Sequence, residues 1–313
     1  MRMKKIAIGV DVGGSHISCM AYNLDNKTLL PETFAESDLD NHGQPDEIID
    51  SWGTTLKECM KLAGDNNVSG FGFAMPGPFD YENGISKFTG QNGKYENIYG
   101  LNVPVELRKY LDLSEDFKIR FINDATAFAI GEDRVGVSKD FNHSLSITLG
   151  TGFGSAFIKD GLPVVEGKQV PDQGCVWYIP FENGIADDYF SSRGLIDRYY
   201  KETGKKFSGV KEIADLAKNE LKAKALFNDF GEKMGVFLKP WIKKFEMEVL
   251  VIGGNISKAF PLFGESLKAY LKAENLQIEV AVSELKENAS FIGSATLVDD
   301  EFYSKVLPIL KKI

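Results

Sequence analysis

The sequence predicts an α/β protein made of two similar halves. Apolar, β-branched segments typical of buried strands alternate along the 313 residues with segments whose apolar residues recur at helical spacing. A strand, a glycine-rich turn and a second strand occur near the N-terminus, in IAIGVDVGGSHISCMAYNLD, and again in SLSITLGTGFGSAFIKDG. This weak internal repeat indicates two similar lobes that face each other.

In the first half, residues 5–12 predict a buried strand and the next apolar segment, HISCMAYNL, its hairpin partner. PDEIIDSWGTTLKECMKLAG predicts a helix that ends at Gly64. VSGFGFAMPGPFD predicts a strand followed by a Pro-Gly-Pro turn, and VPVELRKYL predicts a helix with proline in its first turn. In FKIRFINDATAFAIGEDRVG a strand leads into a helix, and Asn123-Asp124 lies at the junction.

The second half repeats this plan, with a strand, a turn and a strand over residues 144–158. MEVLVIGGNIS predicts a strand that reaches a double glycine, and NASFIGSATLV predicts a final helix of small residues. Residues 209–245 form long helical patterns. Their apolar stripe predicts core packing and no functional role; it consists of Leu226, Phe230, Met234, Phe237, Trp241 and Ile242.

Composition excludes several classes of protein. The formal charge of -9 argues against a broad nucleic-acid-binding surface. The sequence contains no run of about 18 apolar residues, so no membrane span is predicted. The N-terminus lacks the pattern of a signal peptide. Cys19, Cys59 and Cys175 form no closely spaced pair, so neither a disulfide framework nor a zinc knuckle is predicted. A reducing cytoplasm is the expected location.

The glycine-rich turns do not fit two common phosphate-binding motifs. The Gly-Lys pairs at 93, 167 and 204 are followed by Tyr, Gln and Lys, whereas a P-loop needs Ser or Thr there. In the second turn the third glycine comes one residue too early for a dinucleotide fingerprint, and a strand follows instead of a helix. Two hairpin turns remain, whose backbone N–H groups can point at phosphate oxygens from opposite sides. The expected donors are the N–H groups of Gly13, Gly14 and Ser15 in the first turn and of Gly150, Gly152 and Gly154 in the second. Thr151 is expected to add its hydroxyl to the second set.

Asp11 stands beside the first turn. A carboxylate next to a phosphate is repelled unless a divalent cation lies between them, so Asp11 is the expected partner of Mg²⁺, through water. The alternative is that both turns are tight hairpins whose glycines serve only positive φ angles.

Four motifs together resemble the ROK family of sugar kinases, which has the hexokinase/actin/Hsp70-type superfold. They occur in the order and approximate spacing of that family and span nearly the full chain. They are Asp11-Val12-Gly13-Gly14-Ser15, Asn123-Asp124-Ala125, Leu149-Gly150-Thr151-Gly152-Phe153-Gly154-Ser155-Ala156 and Val251-Ile252-Gly253-Gly254.

The resemblance implies a two-lobed, actin-like ATPase fold of the ribonuclease-H type, with duplicated βββαβα domains and a central nucleotide cleft. A small lobe is expected over residues 1–122 and a larger one over 123–296, with a C-terminal helix at 297–313 packing back on the first. The two turns would hold the β- and γ-phosphates of ATP. Gly253 and Gly254 would lie near the adenosine.

Asp124 matches the family's catalytic base. A carboxylate at a strand end can take the proton from a sugar hydroxyl as its oxygen attacks the γ-phosphorus. Asn123 would hold a neighbouring hydroxyl. The alternative is that Asn-Asp at a strand-to-helix junction serves as a helix N-cap.

On the sugar side, Asn92 resembles an asparagine that contacts sugar in the family. The segment IADDYFSSRGL places Asp187 where the family has a sugar-binding glutamate, and Asp188 could share that task. Glu166 corresponds to the glutamate that precedes the family's Gly-His pair.

The family's zinc motif is absent, because residues 161–186 contain Cys175 as their one cysteine and no histidine follows His143. A single thiol cannot build a four-ligand zinc site. The sequence therefore predicts no zinc and a rebuilt loop at residues 165–181. The loss also removes the family's sugar-contacting histidine.

The expected function is an ATP- and Mg²⁺-dependent kinase of a hexose or N-acetylhexosamine, with a homodimer as an open alternative to a monomer. One rival is a kinase that uses polyphosphate as donor. Another is a catalytically weak sugar sensor that acts on a protein partner. A DNA-binding repressor is disfavoured, because the first predicted strand begins within five residues of Met1.

Overall fold

The structure is a computed structural model that describes residues 5–64, 67–90 and 93–313. The strands in chain order are β1 (Ile6–Val12), β2 (His16–Asn23), β3 (Thr28–Asp38), β4 (Val68–Met75), β5 (Phe79–Asp80), β6 (Ile85–Ser86), β7 (Lys118–Asn123), β8 (His143–Leu149), β9 (Phe153–Lys159), β10 (Leu162–Val164), β11 (Pro180–Phe181), β12 (Gly184–Ile185), β13 (Val249–Gly253) and β14 (Glu279–Val282). The α-helices are α1 (Pro45–Ala63), α2 (Val103–Leu111), α3 (Asp124–Val135), α4 (Ala186–Phe190), α5 (Ser192–Thr203), α6 (Val210–Leu216), α7 (Leu221–Phe245), α8 (Phe260–Ala273), α9 (Asn288–Thr296) and α10 (Asp300–Leu310).

The chain divides into two compact units, and each contains one five-stranded sheet. The first unit comprises the described residues of Met1–Val135 with Glu287–Ile313, and the second comprises Gly136–Lys286. The strand orders are β3-β2-β1-β4-β7 and β10-β9-β8-β13-β14. In the first sheet β1, β2 and β3 are antiparallel neighbours, and β4 and β7 run parallel to β1. In the second sheet β8, β9 and β10 are antiparallel neighbours, and β13 and β14 run parallel to β8. The internal repeat predicted from the two hairpins is therefore confirmed as a repeat of sheet topology.

Helices cover both faces of the first sheet, which explains why β1 is apolar almost throughout. On one side, α1 packs against β2 and β3 and ends at Gly64, as predicted. On the other side, α9 lies directly on the sheet. A Cβ atom at Gly9 would lie 2.0 Å from the carbonyl oxygen of Phe291, and one at Gly72 would lie 1.8 Å from that of Ser294. Glycines on β1 and β4 thus allow the backbone of α9 to contact these strands.

The first unit includes α3, α9 and α10, whereas the sequence prediction divided the chain at residues 122 and 296. The physical reason is packing, because α3 lies against α9, which lies against β1. Ion pairs connect the last helix to the same sheet. Lys118 and Arg120 on β7 each lie 2.7 Å from a carboxylate oxygen of Asp300, in the first turn of α10.

The core of the second unit forms around α7 and α8. The predicted stripe on α7 is buried, except that Trp241 is partly buried. The helical pattern over 209–245 folds as two helices, α6 and α7, with four residues between them. Among the described residues, no helix combines the length and the apolar character that a membrane crossing requires.

Candidate active site

The first glycine-rich turn connects β1 to β2, and side chains from elsewhere in the first unit hold its carbonyl groups. The hydroxyl of Tyr95 donates to the carbonyl of Gly13, and the side-chain amide of Asn41 donates to the carbonyl of Gly14. The backbone of Tyr95 in turn donates to the carbonyl of Asn41, at 2.8 Å. The two residues that hold the turn are therefore joined to each other.

The remaining backbone groups of the turn leave two donors open. The N–H of Gly13 bonds to the carbonyl of His16 at 3.0 Å, and the carbonyl of Ser15 accepts from the N–H of Leu39 at 2.8 Å. Within the described part of the chain, the N–H groups of Gly14 and Ser15 have no acceptor. Because the carbonyls are held while these exposed N–H groups are open, the turn presents donors suited to an anion.

Tyr95 is buried between aromatic neighbours, with ring centroids 5.9 Å from Trp52 and 5.3 Å from Phe88. Burial raises the pKa of its hydroxyl, and the charge of Asp11 raises it further. The hydroxyl therefore keeps its proton at neutral pH and remains a donor to Gly13. Sequence reasoning missed this residue, because a tyrosine in an irregular segment carries no signal of its partner.

Asp11 lies at the end of β1 among other carboxylates. Burial raises its pKa to about 7, and the charges of Asp124 and Glu287 act in the same direction. No described residue donates a hydrogen bond to its carboxylate. An approaching cation would relieve this repulsion. Glu287 was not predicted from the sequence; it immediately precedes α9, whose close packing on β1 was not apparent from the sequence.

These carboxylates fit Mg²⁺ better than a metal held by protein ligands alone. Among the described residues, no three His, Cys, Asp or Glu side chains form a group that could coordinate an ion. Mg²⁺ in kinase sites is usually bound through one or two carboxylates together with phosphate oxygens and water. Asp11 is consistent with that donor set.

Asn123 and Asp124 divide the roles that the sequence left open. The side-chain oxygen of Asn123 accepts from the N–H groups of Ala125 and Thr126, at 3.1 and 3.3 Å, so Asn123 caps α3. Its amide nitrogen lies 3.3 Å from the hydroxyl of Tyr81. One oxygen of Asp124 accepts from Ala125 at 2.8 Å, and the side chain is exposed. The cap does not need Asp124, whose second oxygen remains available.

Sheet register brings Asp11 and the Asn123-Asp124 pair to the same edge of the first sheet. Strands β1, β4 and β7 are parallel, so their carboxyl ends meet there. Asp11 is opposite Ala74, and Ala74 is opposite Ile122. Two strand spacings separate the end of β1 from the end of β7, or about 10 Å. Asn92 lies outside the described residues.

The second turn, between β8 and β9, repeats the pattern of the first. The N–H of Gly150 bonds to the carbonyl of Gly152 at 3.1 Å, and the carbonyl of Gly150 accepts from Ser192 at 2.8 Å. Over the described ranges, the N–H groups of Thr151 and Gly152 have no acceptor, and both residues are exposed. Gly154 lies in β9. In this turn the carbonyls of Gly150 and Gly152 accept hydrogen bonds, and two amide donors are presented.

The glycines of both turns are not explained by backbone strain. None of Gly13, Gly14, Gly150 and Gly152 has a positive φ angle. A Cβ atom at Gly150 would have no neighbour within 4 Å, and one at Gly14 would meet a single atom, 3.9 Å away. The alternative of two hairpins that need glycine for positive φ is therefore wrong. At Gly14 and Gly150 the space that a side chain would fill is open to a ligand.

Gly253 and Gly254 lie beside the second turn, because Gly253 at the end of β13 is opposite Thr148 on β8. Here glycine has a structural reason. Gly254 has a φ of 78°, and a Cβ atom there would lie 2.5 Å from the carbonyl oxygen of Leu149. The double glycine therefore lets the end of β13 contact the end of β8.

Asp187 ties the second turn to α4 and α5. One of its oxygens accepts from the N–H of Phe153, which directly follows the turn, at 2.8 Å. The other lies 2.9 Å from Arg193, which also approaches Asp188 at 3.3 Å. Asp188 in addition accepts from the N–H of Ile185. The contacts of Asp187 are those of a residue that positions the turn, a role that sequence reasoning missed along with Arg193.

The segment after β10 contains Glu166, which is exposed. The loop predicted at residues 165–181 contains a single 3-10 turn, Asp172–Gly174, and leads into the small hairpin of β11 and β12. Phe181 in that hairpin packs against Phe190 and Phe237. Aromatic packing therefore stabilises the segment that precedes Asp187.

Comparison with known proteins identifies the family. A sequence model of the ROK family matches residues 7–301, a range that contains every predicted site residue. The chain belongs to the ROK family. The resemblance found in the four sequence motifs is thereby confirmed.

Curated relatives within the ROK family include both enzymes and a regulator. The chain is 27% identical to a glucokinase of Thermotoga maritima, over 94% of this chain and 97% of the relative. It is 24% identical to an N-acetyl-D-glucosamine kinase of Photobacterium profundum, over 84% and 88% of the two chains. It is 23% identical to a putative xylose repressor of a Caldicellulosiruptor species, over 94% and 78%.

Solved structures confirm the predicted actin-like, two-lobed α/β fold of this ROK protein. The ROK hexokinase from Thermus thermophilus matches with a TM-score of 0.76 at 18% identity, over 96% of this chain and 99% of that one. A ROK glucokinase from Streptomyces griseus, in complex with glucose and AMPPNP, matches with a TM-score of 0.71 at 19% identity, over 93% and 98%. Identities this low establish the fold alone.

Proposed function

We propose that this ROK protein is a sugar kinase that transfers the γ-phosphoryl group of ATP to a hydroxyl of a hexose or N-acetylhexosamine. The observation that carries the proposal is the state of the two turns. Each presents two N–H donors that have no acceptor among the described residues, and each contains a glycine, Gly14 or Gly150, that backbone geometry does not require. Relatives named glucokinase and N-acetyl-D-glucosamine kinase support the acceptor class.

In this proposal the phosphates of ATP accept hydrogen bonds from backbone N–H groups. Gly14 and Ser15 donate from the first turn, and Thr151 and Gly152 donate from the second. Backbone donors fixed by the fold need no rearrangement as charge moves during transfer, so they stabilise the transition state. Gly13, Gly150 and Gly154 shape the two turns, and Gly253 and Gly254 are assigned to the adenosine by the family resemblance.

Asp11 is proposed to bind Mg²⁺ through water. When bound, Mg²⁺ neutralises charge on the transferring phosphates. The raised pKa of Asp11 supports this role, because its carboxylate is destabilised by burial and by Asp124 and Glu287 until a cation approaches.

Asp124 is proposed as the general base. The side chain is exposed at the start of α3, and its second oxygen can accept the proton of the attacking sugar hydroxyl. Asn123 holds the helix start and so fixes the backbone of Asp124. Asn92, Asn123, Glu166 and Asp187 are assigned to the sugar side by the resemblance.

The test is release of ADP by the wild-type protein with ATP, Mg²⁺ and a panel of glucose, mannose, N-acetylglucosamine and N-acetylmannosamine. Sugar-dependent release that stops on addition of EDTA supports the proposal. A parallel arm replaces ATP with polyphosphate and measures the sugar phosphate directly. Transfer from polyphosphate alone would assign a different donor, and sugar binding without transfer from either donor would favour a sensor.

A further inference from the structure

An exposed pair of aromatic side chains lies near the second turn. Trp177 is 48% exposed and Tyr178 is 36% exposed, and their ring centroids lie 5.6 Å apart at an interplanar angle of 80°. Large aromatic rings carry much apolar surface, and their exposure in neighbouring positions is typical of a surface that binds a ligand or a partner.

The backbone beneath this pair is fixed on both sides. The buried hydroxyl of Ser155, on β9, accepts from the N–H of Val176 at 3.0 Å and donates to the carbonyl of Gly174 at 2.9 Å. The carbonyl of Trp177 accepts from the N–H of Asp187 at 2.9 Å. The exposed rings therefore stand on an anchored backbone, which makes them suitable as a rigid surface.

Asp187 connects the pair to the second turn. Its backbone N–H donates to the carbonyl of Trp177, and its carboxylate accepts from the N–H of Phe153 directly after the turn. A single residue thus contacts both the backbone of Trp177 and the residue that follows the proposed phosphate donors.

The polar groups beside the pair favour a neutral ligand rich in hydroxyls. The backbone of Asp187 contacts that of Trp177, and Asp188 follows it in α4. Their side chains are 16% and 47% exposed, and Arg193 pairs with both. Each carboxylate retains lone pairs that can accept from hydroxyl groups. Hydroxyl acceptors next to an apolar ring face suit a pyranose, which has polar edges and a C–H face.

We propose that Trp177 is the stacking platform for the pyranose ring of the acceptor sugar, with Tyr178 bracing its edge. The proposal rests on the proposed function and names a sugar-binding element for it. Trp177 lies in the loop at residues 165–181, where the family's zinc motif is absent.

Binding without nucleotide tests the platform separately from catalysis. The wild-type protein, Trp177→Phe and Trp177→Ala are titrated with each sugar of the panel, with tryptophan fluorescence and calorimetry as readouts. We expect sugar to change the emission of the wild type and not that of Trp177→Phe. The dissociation constant should rise about tenfold in Trp177→Ala and about threefold or less in Trp177→Phe, which retains an aromatic face. Tyr200→Ala removes an aromatic side chain that is 50% exposed on α5 and should bind as the wild type does.

Several outcomes would overturn the platform. Unchanged sugar affinity in Trp177→Ala removes it, and if the wild type still releases ADP with sugar, the proposed function stands without it. A fluorescence change with ADP and none with sugar assigns Trp177 to the nucleotide base. A dimer that dissociates in Trp177→Ala, with sugar affinity unchanged, assigns the pair to contact between copies. Sugar binding that depends on Trp177, without ADP release, supports the platform and contradicts the proposed kinase activity. Absence of both sugar binding and ADP release across the panel contradicts both proposals.

Discussion

The hydroxyl of Tyr95 donates a hydrogen bond to the carbonyl of Gly13, across 82 residues of sequence. The bond fixes the peptide of the first turn, in which the next two N–H groups have no acceptor among the described residues. Tyr95→Phe keeps the aromatic packing and removes the donor. We expect KM for ATP to rise about fivefold, because one hydrogen bond contributes about 1 kcal/mol, while KM for sugar stays unchanged.

Steady-state kinetics with ATP varied at saturating sugar provide this measurement. Tyr199→Phe is the matched control, because Tyr199 is also buried and donates to Glu220 in the second unit. An equal increase of KM for ATP in both variants would show that loss of a buried hydroxyl, and not the turn, is responsible.

Open space at the turn glycines predicts that alanine will fold there but obstruct phosphate. Gly150→Ala places a methyl group where no described atom lies within 4 Å, and φ is not positive. We expect a melting temperature within about 2 °C of the wild type and a tenfold or greater loss in kcat/KM for ATP. Gly209→Ala, at another open position with a φ of -154°, is the control for folding and activity. Full activity in Gly150→Ala would mean that no ligand approaches this turn.

Asp187 should act on the nucleotide through the second turn. Asp187→Ala leaves the N–H of Phe153 unpaired, and Phe153 is buried, so we expect KM for ATP to rise about tenfold. Asp187→Asn keeps an oxygen acceptor for that N–H and should change KM for ATP less than threefold, or about 0.6 kcal/mol. Both variants are measured with ATP varied; equal effects in the two would argue that the charge, and not the hydrogen bond, matters.

The raised pKa of Asp11 predicts a pH-dependent cost to stability. Its pKa is about 7 in the folded protein against 3.8 in its ordinary state, so folding favours the protonated form. Protonation of Asp11 in the folded protein therefore contributes to the free energy of unfolding at low pH. This contribution decreases as pH rises from about 4 to 7 and is absent above 7. Asp11→Asn carries no such charge. Without Mg²⁺ and nucleotide, it should melt a few degrees above the wild type at pH 8, with a difference that shrinks toward pH 4.

Thermal melts in EDTA from pH 4.5 to 8 measure this difference. Asp25→Asn, a substitution at an exposed aspartate of the same unit, is the control for removal of one carboxylate. If Asp11→Asn is less stable than the wild type at pH 8, the carboxylate has a stabilising partner and the assignment to a cation loses its support.

Much of the fold could be predicted because its signals are local. Strand β1 is apolar except at Asp11, β8 alternates polar and apolar residues, and α1 ends at a glycine, so their types followed from short segments. Candidate site residues could be named from the sequence where a motif is continuous, as at Asp11 and at Asn123-Asp124. Tyr95 and Glu287 could not be predicted, because they approach the first turn and Asp11 through tertiary packing.

Alternatives could be weighed only with backbone geometry. Sequence alone could not distinguish glycines that serve positive φ from those that leave room for a ligand. Gly254 has a positive φ, and a Cβ atom there would collide with Leu149 of β8. Gly14 and Gly150 have neither a positive φ nor such a close neighbour. Sequence likewise could not assign the helix cap to Asn123 and leave Asp124 available for chemistry.

The central claim is that Asp124 is the general base of a sugar kinase, and Asp124→Asn tests it most directly. The substitution keeps the shape of the side chain, an acceptor for the N–H of Ala125 and the cap by Asn123. Asp46→Asn makes the same change in the first turn of α1 and serves as the control. We predict that kcat for sugar-dependent ADP release falls about 10³-fold in Asp124→Asn alone, with calorimetric sugar affinity within about threefold of the wild type. An Asp124→Asn protein that turns over at the wild-type rate would contradict the account.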